Sequence, residues 1–291
     1  MHEPVLLGEV VEWLRPAPGR VFVDATVGPG GAAEALLEWL LPGGHLLGID
    51  ADAEVLELAR ERLSRFLGHF TLVHANFRHL AQLVARHLGR PADGAFMDLG
   101  VSSFQLDEAR RGFSFLRDGP LDLRLDPTRG ETAAELVARS SARDLERILR
   151  EYGEERYARR IARAMATRRD TLRTTRDLAE LIEAVVPRRE PRLHPATRTF
   201  QALRIAVNDE LGALQEALDS LSAWLAPGGR VAVIAFHSLE DRIVKQAFRA
   251  QAAAGLVTVL TRKPVRPSEE EVAANPRSRS ARLRVAERRA S

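Results

Sequence analysis

The chain has 291 residues, of which 45% are apolar and 29% charged, with a formal net charge of +3 and no cysteine. This composition supports a packed core in one or two domains, and it excludes a disulfide scaffold, a thiolate metal site and thiol catalysis. The longest apolar run is only residues 231–236, and the N-terminus lacks the basic segment of a signal peptide, so we expect a soluble cytoplasmic protein.

Strands and helices alternate along the first part of the chain. The patterns predict strands at 21–23, 45–49, 70–73 and 94–97, and helices at 32–41, 53–66 and 80–87. Strands that alternate with helices through short connections favour a doubly wound parallel sheet of the α/β class.

The alternation stops after the fourth strand. No strand is predicted from 105 to 199, and the helices predicted there are 144–152, 154–167 and 175–186. Loops between strands and helices usually have only about two to six residues. We therefore predict an all-helical domain, 106–206, inserted into a discontinuous sheet domain, 1–105 and 207–291.

The sheet domain resumes after this insert. The glycine pair 228–229 is predicted to precede a strand at 231–236. A helix at 240–251 and two further strands, 256–260 and 282–286, follow.

The charges are distributed unevenly. Residues 1–105 and 207–261 together carry a net charge of −7, whereas residues 106–206 carry +5 and residues 262–291 carry +5. Eight arginines and a single acidic residue lie between Arg156 and Arg176. Such a run is commonly a solvated helix face, but its concentration here also suits a polyanionic partner such as nucleic acid.

A glycine turn follows the first predicted strand. Asp24 ends this strand, and the segment 28–31 (Gly-Pro-Gly-Gly) leads into a helix. Glycines allow a ligand to approach the backbone, and the helix N-terminus offers free N–H groups. Asp50 ends the second strand, where a carboxylate can accept both ribose hydroxyls of a nucleoside cofactor. A tight structural turn with a solvated Asp50 is the alternative.

The identity of the nucleoside cofactor depends on Asp24. A dinucleotide fingerprint would place a third glycine at residue 33, which is Ala33, although alanine is sometimes allowed there. An acid beside a pyrophosphate would repel it, whereas it suits a cationic ligand such as S-adenosylmethionine. The next strands end in Asn76-Phe77 and in residues 97–103, where Phe77 is expected to pack on an adenine or in the core, and Asp98 to contact the ligand or cap a helix.

Motifs along nearly the whole chain resemble one family, the bacterial 16S ribosomal RNA (cytosine-N4) methyltransferases of the MraW type. The matching segments are 2–6 (HEPVL), 24–31 (DATVGPGG), 98–103 (DLGVSS), 111–115 (RGFSF), 118–122 (DGPLD), 194–198 (HPATR), 200–205 (FQALRI), Asn208 and 236–242 (FHSLEDR). The resemblance implies a Rossmann-like class I methyltransferase sheet with a helical insert that recognises the substrate.

The resemblance also implies a set of functional residues. The cofactor would be S-adenosylmethionine, and its contacts map onto Gly31, Ala32, Ala33, Asp50, Phe77, Asp98 and Gln105. The substrate would be a cytosine in the decoding region of 16S rRNA, within the assembled 30S subunit. Ala32-Ala33 is a departure, because most members have His-Ser there; backbone contacts at this place would tolerate the change.

Methylation of a cytosine amine requires alignment with the methyl donor and acceptors for the amine hydrogens. Amino-methyltransferases of DNA use an Asp/Asn/Ser-Pro-Pro-aromatic loop after the fourth strand. This chain has Asp98-Leu99-Gly100 instead, which disfavours DNA as the substrate. We expect Asp98, or carbonyls and hydroxyls of its loop, to accept from the amine.

Five further residues are candidates for contacts with RNA or the active site: Arg160, Arg163, Arg198, Asn208 and His237. The alternative for Arg198 and Asn208 is a structural role that joins the insert to the sheet, and for His237 it is a structural histidine. Other functions considered are a DNA or protein methyltransferase, a non-enzymatic RNA-binding factor and a nicotinamide oxidoreductase. No group of residues has metal-ligand spacing, so no metal is expected.

Overall fold

The computed structural model describes residues 4–187 and 194–290. The motif residues His2 and Glu3 lie outside the described residues. The chain divides into two compact units, the first comprising 1–100 and 211–291 and the second 101–210. No helix within the described ranges is long and apolar enough to cross a membrane.

The first unit contains one seven-stranded sheet. Its strands are β1 (Val21–Asp24), β2 (His45–Asp50), β3 (Phe70–His74), β4 (Ala92–Asp98), β5 (Leu225–Ala235), β6 (Val257–Val259) and β7 (Arg282–Arg288). Their spatial order is β3-β2-β1-β4-β5-β7-β6. All neighbouring pairs are parallel except those made by β7, which runs antiparallel to β5 and to β6. The predicted α/β class is confirmed, and the sheet is mostly rather than wholly parallel.

Helices surround this sheet. They are α1 (Leu7–Leu14), α2 (Gly31–Leu40), α3 (Ala53–Arg62), α4 (Leu80–Leu88), α11 (Glu210–Asp219), α12 (Leu221–Trp224), α13 (Ser238–Ala253) and α14 (Glu269–Ala274). Successive strand residues point to opposite faces, so Phe22 and Val23 are both buried but belong to different core clusters. The central strands are therefore apolar on both faces, as a covered parallel sheet requires.

The second unit is helical. Its helices are α5 (Ser103–Asp107), α6 (Ala133–Arg139), α7 (Ala142–Gly153), α8 (Ala158–Thr167), α9 (Thr175–Val185) and α10 (Thr197–Asn208). Leu149, Ile161 and Leu178 lie in its core at zero exposure. Side-chain oxygens of Ser141 and Thr174 cap α7 and α9 by accepting backbone N–H bonds.

Two local predictions are wrong. The predicted helix 154–167 begins only at Ala158, because Glu154 ends α7 with a left-handed backbone at φ 48°. The glycine pair 228–229 lies inside β5 rather than before it, close to a register irregularity between Ala92 and Gly94 on the neighbouring strand.

Candidate functional site

Three carboxylates lie where neighbouring parallel strands end. Asp24 ends β1, Asp50 ends β2 and Asp98 ends β4. Because β2, β1 and β4 are adjacent and parallel, these side chains belong to one edge of the sheet. We call these three residues the strand-end site. Ligands of doubly wound sheets bind at this edge.

Asp50 organises the glycine turn beside it. Its Oδ2 accepts the N–H of Gly28 at 2.9 Å, and its Oδ1 accepts the N–H of Asp52 at 2.9 Å. Burial raises the pKa of Asp50 to about 6, so the group is ionised at neutral pH. Each carboxylate oxygen has a second lone pair, which leaves Asp50 able to accept hydroxyls of a ligand.

The turn exposes backbone donors at the start of α2. Gly28 and Gly30 adopt φ values of 53° and 86°, which favour glycine. No side chain caps α2, so its first N–H groups, from Gly31 to Ala33, have no partner within the helix. The side chains of Ala32 and Ala33 pack into the core at 9% and 0% exposure. These residues therefore offer a ligand their backbone.

Asp24 and Asp98 both carry a buried oxygen without a hydrogen-bond partner. Asp24 Oδ1 accepts the N–H of Thr26 at 3.2 Å, while Asp24 Oδ2 and Asp98 Oδ1 are unpartnered within the described structure. Burial raises the pKa of Asp24 to about 7, with a further contribution from Asp50. Burial, then the charges of Asp24 and Glu240, raises the pKa of Asp98 to about 8. A buried cation would stabilise the ionised form of both.

The end of β5 brings a histidine and a glutamate to the same edge. His237 caps α13: its Nδ1 accepts the N–H of Glu240 at 3.4 Å, while Glu240 Oε2 accepts the N–H groups of Phe236 and His237 at 2.8 and 3.2 Å. A neutral ring with Nδ1 as acceptor carries its hydrogen at Nε2.

The contact on the other side of the His237 ring is incomplete. Its Nε2 lies 3.1 Å from Glu240 Oε1, but the angle between the two groups is unsuitable for a hydrogen bond. Within the described structure, Nε2 therefore has no hydrogen-bond partner. The side chain is only 11% exposed. His237 can therefore donate one buried N–H. A general base would instead need a free nitrogen that accepts a proton.

The other predicted cofactor residues divide between the units. Phe77 follows β3 in a short 3-10 turn that begins after Asn76, and it is half-buried against the core of the first unit. Gln105 belongs to the second unit, where it is 3% exposed. Its Oε1 accepts the N–H of Ser102 at 3.0 Å and completes the cap of α5.

The remaining RNA candidates also lie in the second unit. The amide of Asn208 makes three hydrogen bonds there, to Leu123, Leu125 and Arg204, at 2.7–2.8 Å. Arg198 is half-buried and has interactions of its own. Arg160 and Arg163 are exposed on α8. The side chain of Asn208 is thus hydrogen-bonded within the helical unit, whereas Arg160 and Arg163 are exposed to solvent.

Sequence reasoning missed Glu240 and Thr26. Glu240 holds the cap that fixes His237, and Thr26 Oγ1 accepts the N–H of Asp98 at 2.6 Å. A glutamate three residues after a capping position is a recognised signal, but histidine is not among the usual capping residues. No group of three His, Asp or Glu residues within the described ranges is arranged to hold a metal.

Comparisons with known proteins identify the family of the chain. The family model described as the MraW methylase family matches residues 1–289. A protein of Thermomicrobium roseum, ribosomal RNA small subunit methyltransferase H, is 49% identical over 304 residues, covering 99% of this chain and 93% of the relative. The protein of that name from Syntrophotalea carbinolica is 52% identical over 306 residues, with 99% and 98% covered.

One solved structure shows the fold independently. A crystal structure from Clostridium thermocellum superposes with a TM-score of 0.50 at 11% sequence identity, covering 99% of this chain and 100% of the other. At this identity the likeness concerns the architecture alone.

Proposed function

The chain belongs to the MraW methylase family, and from that premise we propose that it methylates N4 of a cytosine in the decoding region of 16S rRNA. It is an S-adenosylmethionine-dependent methyltransferase. Relatives named as small-subunit ribosomal RNA methyltransferases cover nearly the whole chain and support this class of substrate. The family motifs described above carry the finer assignment to the cytosine amine.

The residues of the first unit fit S-adenosylmethionine. This cofactor supplies a methyl group on a positively charged sulfur. Asp50 would accept the ribose hydroxyls, and the free N–H groups from Gly31 to Ala33 would bind acceptor atoms. The unpartnered oxygens of Asp24 and Asp98 suit a cationic ligand, because ionising two buried carboxylates without one is unfavourable. Phe77 would contact the adenine. The resemblance also assigns Gln105 to the cofactor, and this residue belongs to the second unit.

Asp98 is the proposed catalytic residue. Its Oδ1 would accept a hydrogen bond from the N4 amine, which orients the nitrogen lone pair and draws electron density toward it. As the bond from N4 to the methyl carbon forms, the bond between that carbon and the cofactor sulfur breaks and leaves a neutral thioether. The amine becomes cationic, and its proton would pass to this oxygen. The bound cation would hold Asp98 in its ionised form at neutral pH, which is the form that can accept the proton.

His237 would act on the same base from a neighbouring strand end. Its Nε2–H is a buried donor without a hydrogen-bond partner, and the ring of cytosine offers acceptors at N3 and O2. A donor at His237 and an acceptor at Asp98 would match the alternation of donor and acceptor along the edge of cytosine. The target nucleotide must be unpaired or flipped to reach them.

The observation that carries this proposal is the pair of unpartnered buried oxygens, on Asp24 and Asp98, beside the ribose-type acceptor Asp50. The test is methyl transfer from labelled S-adenosylmethionine to 30S subunits from a strain that lacks the modification. Digested nucleosides are then separated. Label in N4-methylcytidine is expected; label in another nucleoside, or only in protein, would contradict the assignment.

The same assay tests which form of the nucleic acid is the substrate. We propose the assembled 30S particle as the substrate, rather than naked 16S rRNA or DNA, in the cytoplasm. Protein-free 16S rRNA and cytosine-containing duplex DNA are assayed in parallel. Equal labelling of naked rRNA would contradict the requirement for the particle, and labelling of DNA would contradict the RNA specificity.

A further inference from the structure

Helices α7 and α8 pack against each other and present arginines to solvent. Their apolar sides are buried in the core of the second unit, through Leu145, Leu149, Ile161 and Met165. Their opposite sides carry exposed arginines, which are Arg143, Arg147, Arg150, Arg159, Arg160 and Arg163. Both helices are therefore amphipathic. The outer side of α8 carries arginines without acidic residues, whereas that of α7 also carries Asp144, Glu146 and Glu151.

A shallow groove lies between the two outer surfaces. It is lined by four arginines, Arg143, Arg150, Arg159 and Arg163, together with Ala142 and one acidic residue, Glu146. We call it the arginine groove. Glu146 is an ion-pair partner of Arg150, at 2.9 Å. The charge of Arg143 is partly balanced by the neighbouring carboxylate of Asp144. Among the described residues, the side chains of Arg159 and Arg163 have no ion-pair or hydrogen-bond partner, so the groove holds two uncompensated charges.

The second unit contains both paired and unpaired arginines. Most other exposed or half-buried arginines of the second unit contact a carboxylate of that unit: Arg110, Arg117, Arg124, Arg129, Arg139, Arg147, Arg176 and Arg204. Arg156, Arg160, Arg168 and Arg173 are also exposed and form no ion pair within the described residues. The groove differs in that two unpaired arginines, Arg159 and Arg163, line it together. Charge in the groove is therefore available to a ligand.

The placement of Arg159 is also unfavourable for the isolated helix. It lies in the first turn of α8 beside Arg160, where no acidic residue and no side-chain cap are present. Positive charge is destabilising near the positive end of the helix dipole. A bound anion would reverse this effect for both residues.

We infer that the arginine groove binds the phosphate backbone of the ribosomal RNA substrate. The inference rests on the proposed function and adds to it a contact surface in the helical unit. Arg159 and Arg163 are one helical turn apart, about 6 Å along the axis, so both can face one stretch of backbone. Arginine binds phosphate oxygens with two parallel N–H donors. Such contacts recognise the charged backbone and do not depend on the base sequence.

The test compares two variants of the full-length protein. The groove variant combines Arg143→Gln, Arg159→Gln and Arg163→Gln. The matched control is Arg147→Gln, because Arg147 is exposed on α7 but pairs with Glu151 and does not line the groove. Unchanged S-adenosylmethionine affinity and melting temperature establish that both variants are folded.

Steady-state methylation of 30S subunits is measured against salt concentration. For the groove variant we expect KM for the subunit to rise about tenfold or more at physiological salt, with kcat nearly unchanged. The slope of log KM against log salt should fall by about two to three, since roughly one unit is lost for each phosphate contact. The triple lysine variant should recover most of this loss, because lysine retains the charge.

Direct binding separates failure of this inference from failure of the proposed function. Affinity of the wild-type and groove variants for a 16S rRNA fragment is measured by fluorescence anisotropy over the same salt series, without S-adenosylmethionine. Equal affinity and salt slope for the groove and Arg147→Gln variants would overturn the groove, whatever the methylation result. Weakened binding of the groove variant, combined with no N4-methylcytidine from the wild type, would support the groove and refute the proposed reaction.

Discussion

The strand-end site and the arginine groove both contain charged groups without protein partners, but they differ in burial and sign. The oxygens of Asp24 and Asp98 are buried and fixed by the ends of neighbouring strands. The guanidinium groups of Arg159 and Arg163 are exposed at the tips of long side chains. A buried group acts at one defined position, whereas exposed charges act together and are screened by salt.

This difference determines how each region should respond to change. Loss of one buried acceptor at the strand-end site removes a contact that no other residue can replace. Loss of one arginine leaves the remaining charges of the groove in place. The two regions should therefore be distinguishable by single substitutions, by pH and by salt.

The largest effect is expected for Asp98→Asn. The amide cannot take up the amine proton, so kcat on 30S subunits should fall by about 10²- to 10⁴-fold, the usual contribution of a general base. Burial disfavours the charged form of Asp98, so the melting temperature at pH 8 should not fall. Single-turnover methylation with saturating cofactor measures the effect. A variant with normal turnover would exclude Asp98 as the proton acceptor.

Cofactor affinity should depend on pH in a way that the groove cannot produce. The pKa values of Asp24 and Asp98 are raised to about 7 and about 8, so the free protein holds protons that a cation must displace. Affinity for S-adenosylmethionine should therefore increase from pH 6 to pH 8, by up to about tenfold per pH unit for each proton released, and then level off.

Calorimetric titration in buffers of different ionisation enthalpy measures both the affinity and the protons released. S-adenosylhomocysteine, whose sulfur is neutral, should show a smaller dependence, and Asp98→Asn should flatten it. Affinity that is constant from pH 6 to pH 8 would mean that the two carboxylates do not face the cationic part of the cofactor.

A single groove substitution should have a modest effect that depends on salt. Arg163→Gln removes one of the two uncompensated charges of the groove, so KM for 30S subunits should rise about threefold at low salt and less at high salt. The kcat should be unchanged. A fall in kcat of the size expected for Asp98→Asn would show that Arg163 acts on the reacting base rather than on phosphates.

Local sequence patterns predict the strands and turns of the first unit well. Each of β1, β2 and β4 is a short apolar run that ends in aspartate, so both the strand and its candidate functional residue can be located from the sequence. The direction of β7 is not encoded locally, since it depends on which strands pair with it. The break near residue 153 is predicted, but the start of the next helix is predicted at 154 rather than at Ala158, because the left-handed residue that ends α7, Glu154, is not a glycine.

The site itself was only partly predictable for the same reason. Asp50 and the glycine turn have a recognisable spacing, whereas the tautomer of His237 depends on a cap that this residue type rarely forms. The pairing of arginines is a property of three-dimensional neighbours. Charge counts along the sequence therefore identify the basic region. They cannot distinguish Arg163, whose side chain has no partner in the described part of the chain, from Arg147, which pairs with Glu151.

The smallest effect on cofactor binding is expected at the start of α2, where the chain departs from its family. Ala33 has zero exposure and its side chain packs into the core, so only its backbone N–H is available to a ligand. Ala33→Ser would bury a hydroxyl and should lower the free energy of unfolding by about 1 kcal/mol. The dissociation constant for S-adenosylmethionine should change by less than about twofold, because the N–H groups of the first turn are retained. Thermal unfolding and calorimetry measure the two effects separately. A tenfold gain in affinity would show that a side chain at this position reaches the cofactor, and the strand-end site would then bind through more than fixed backbone and carboxylate groups.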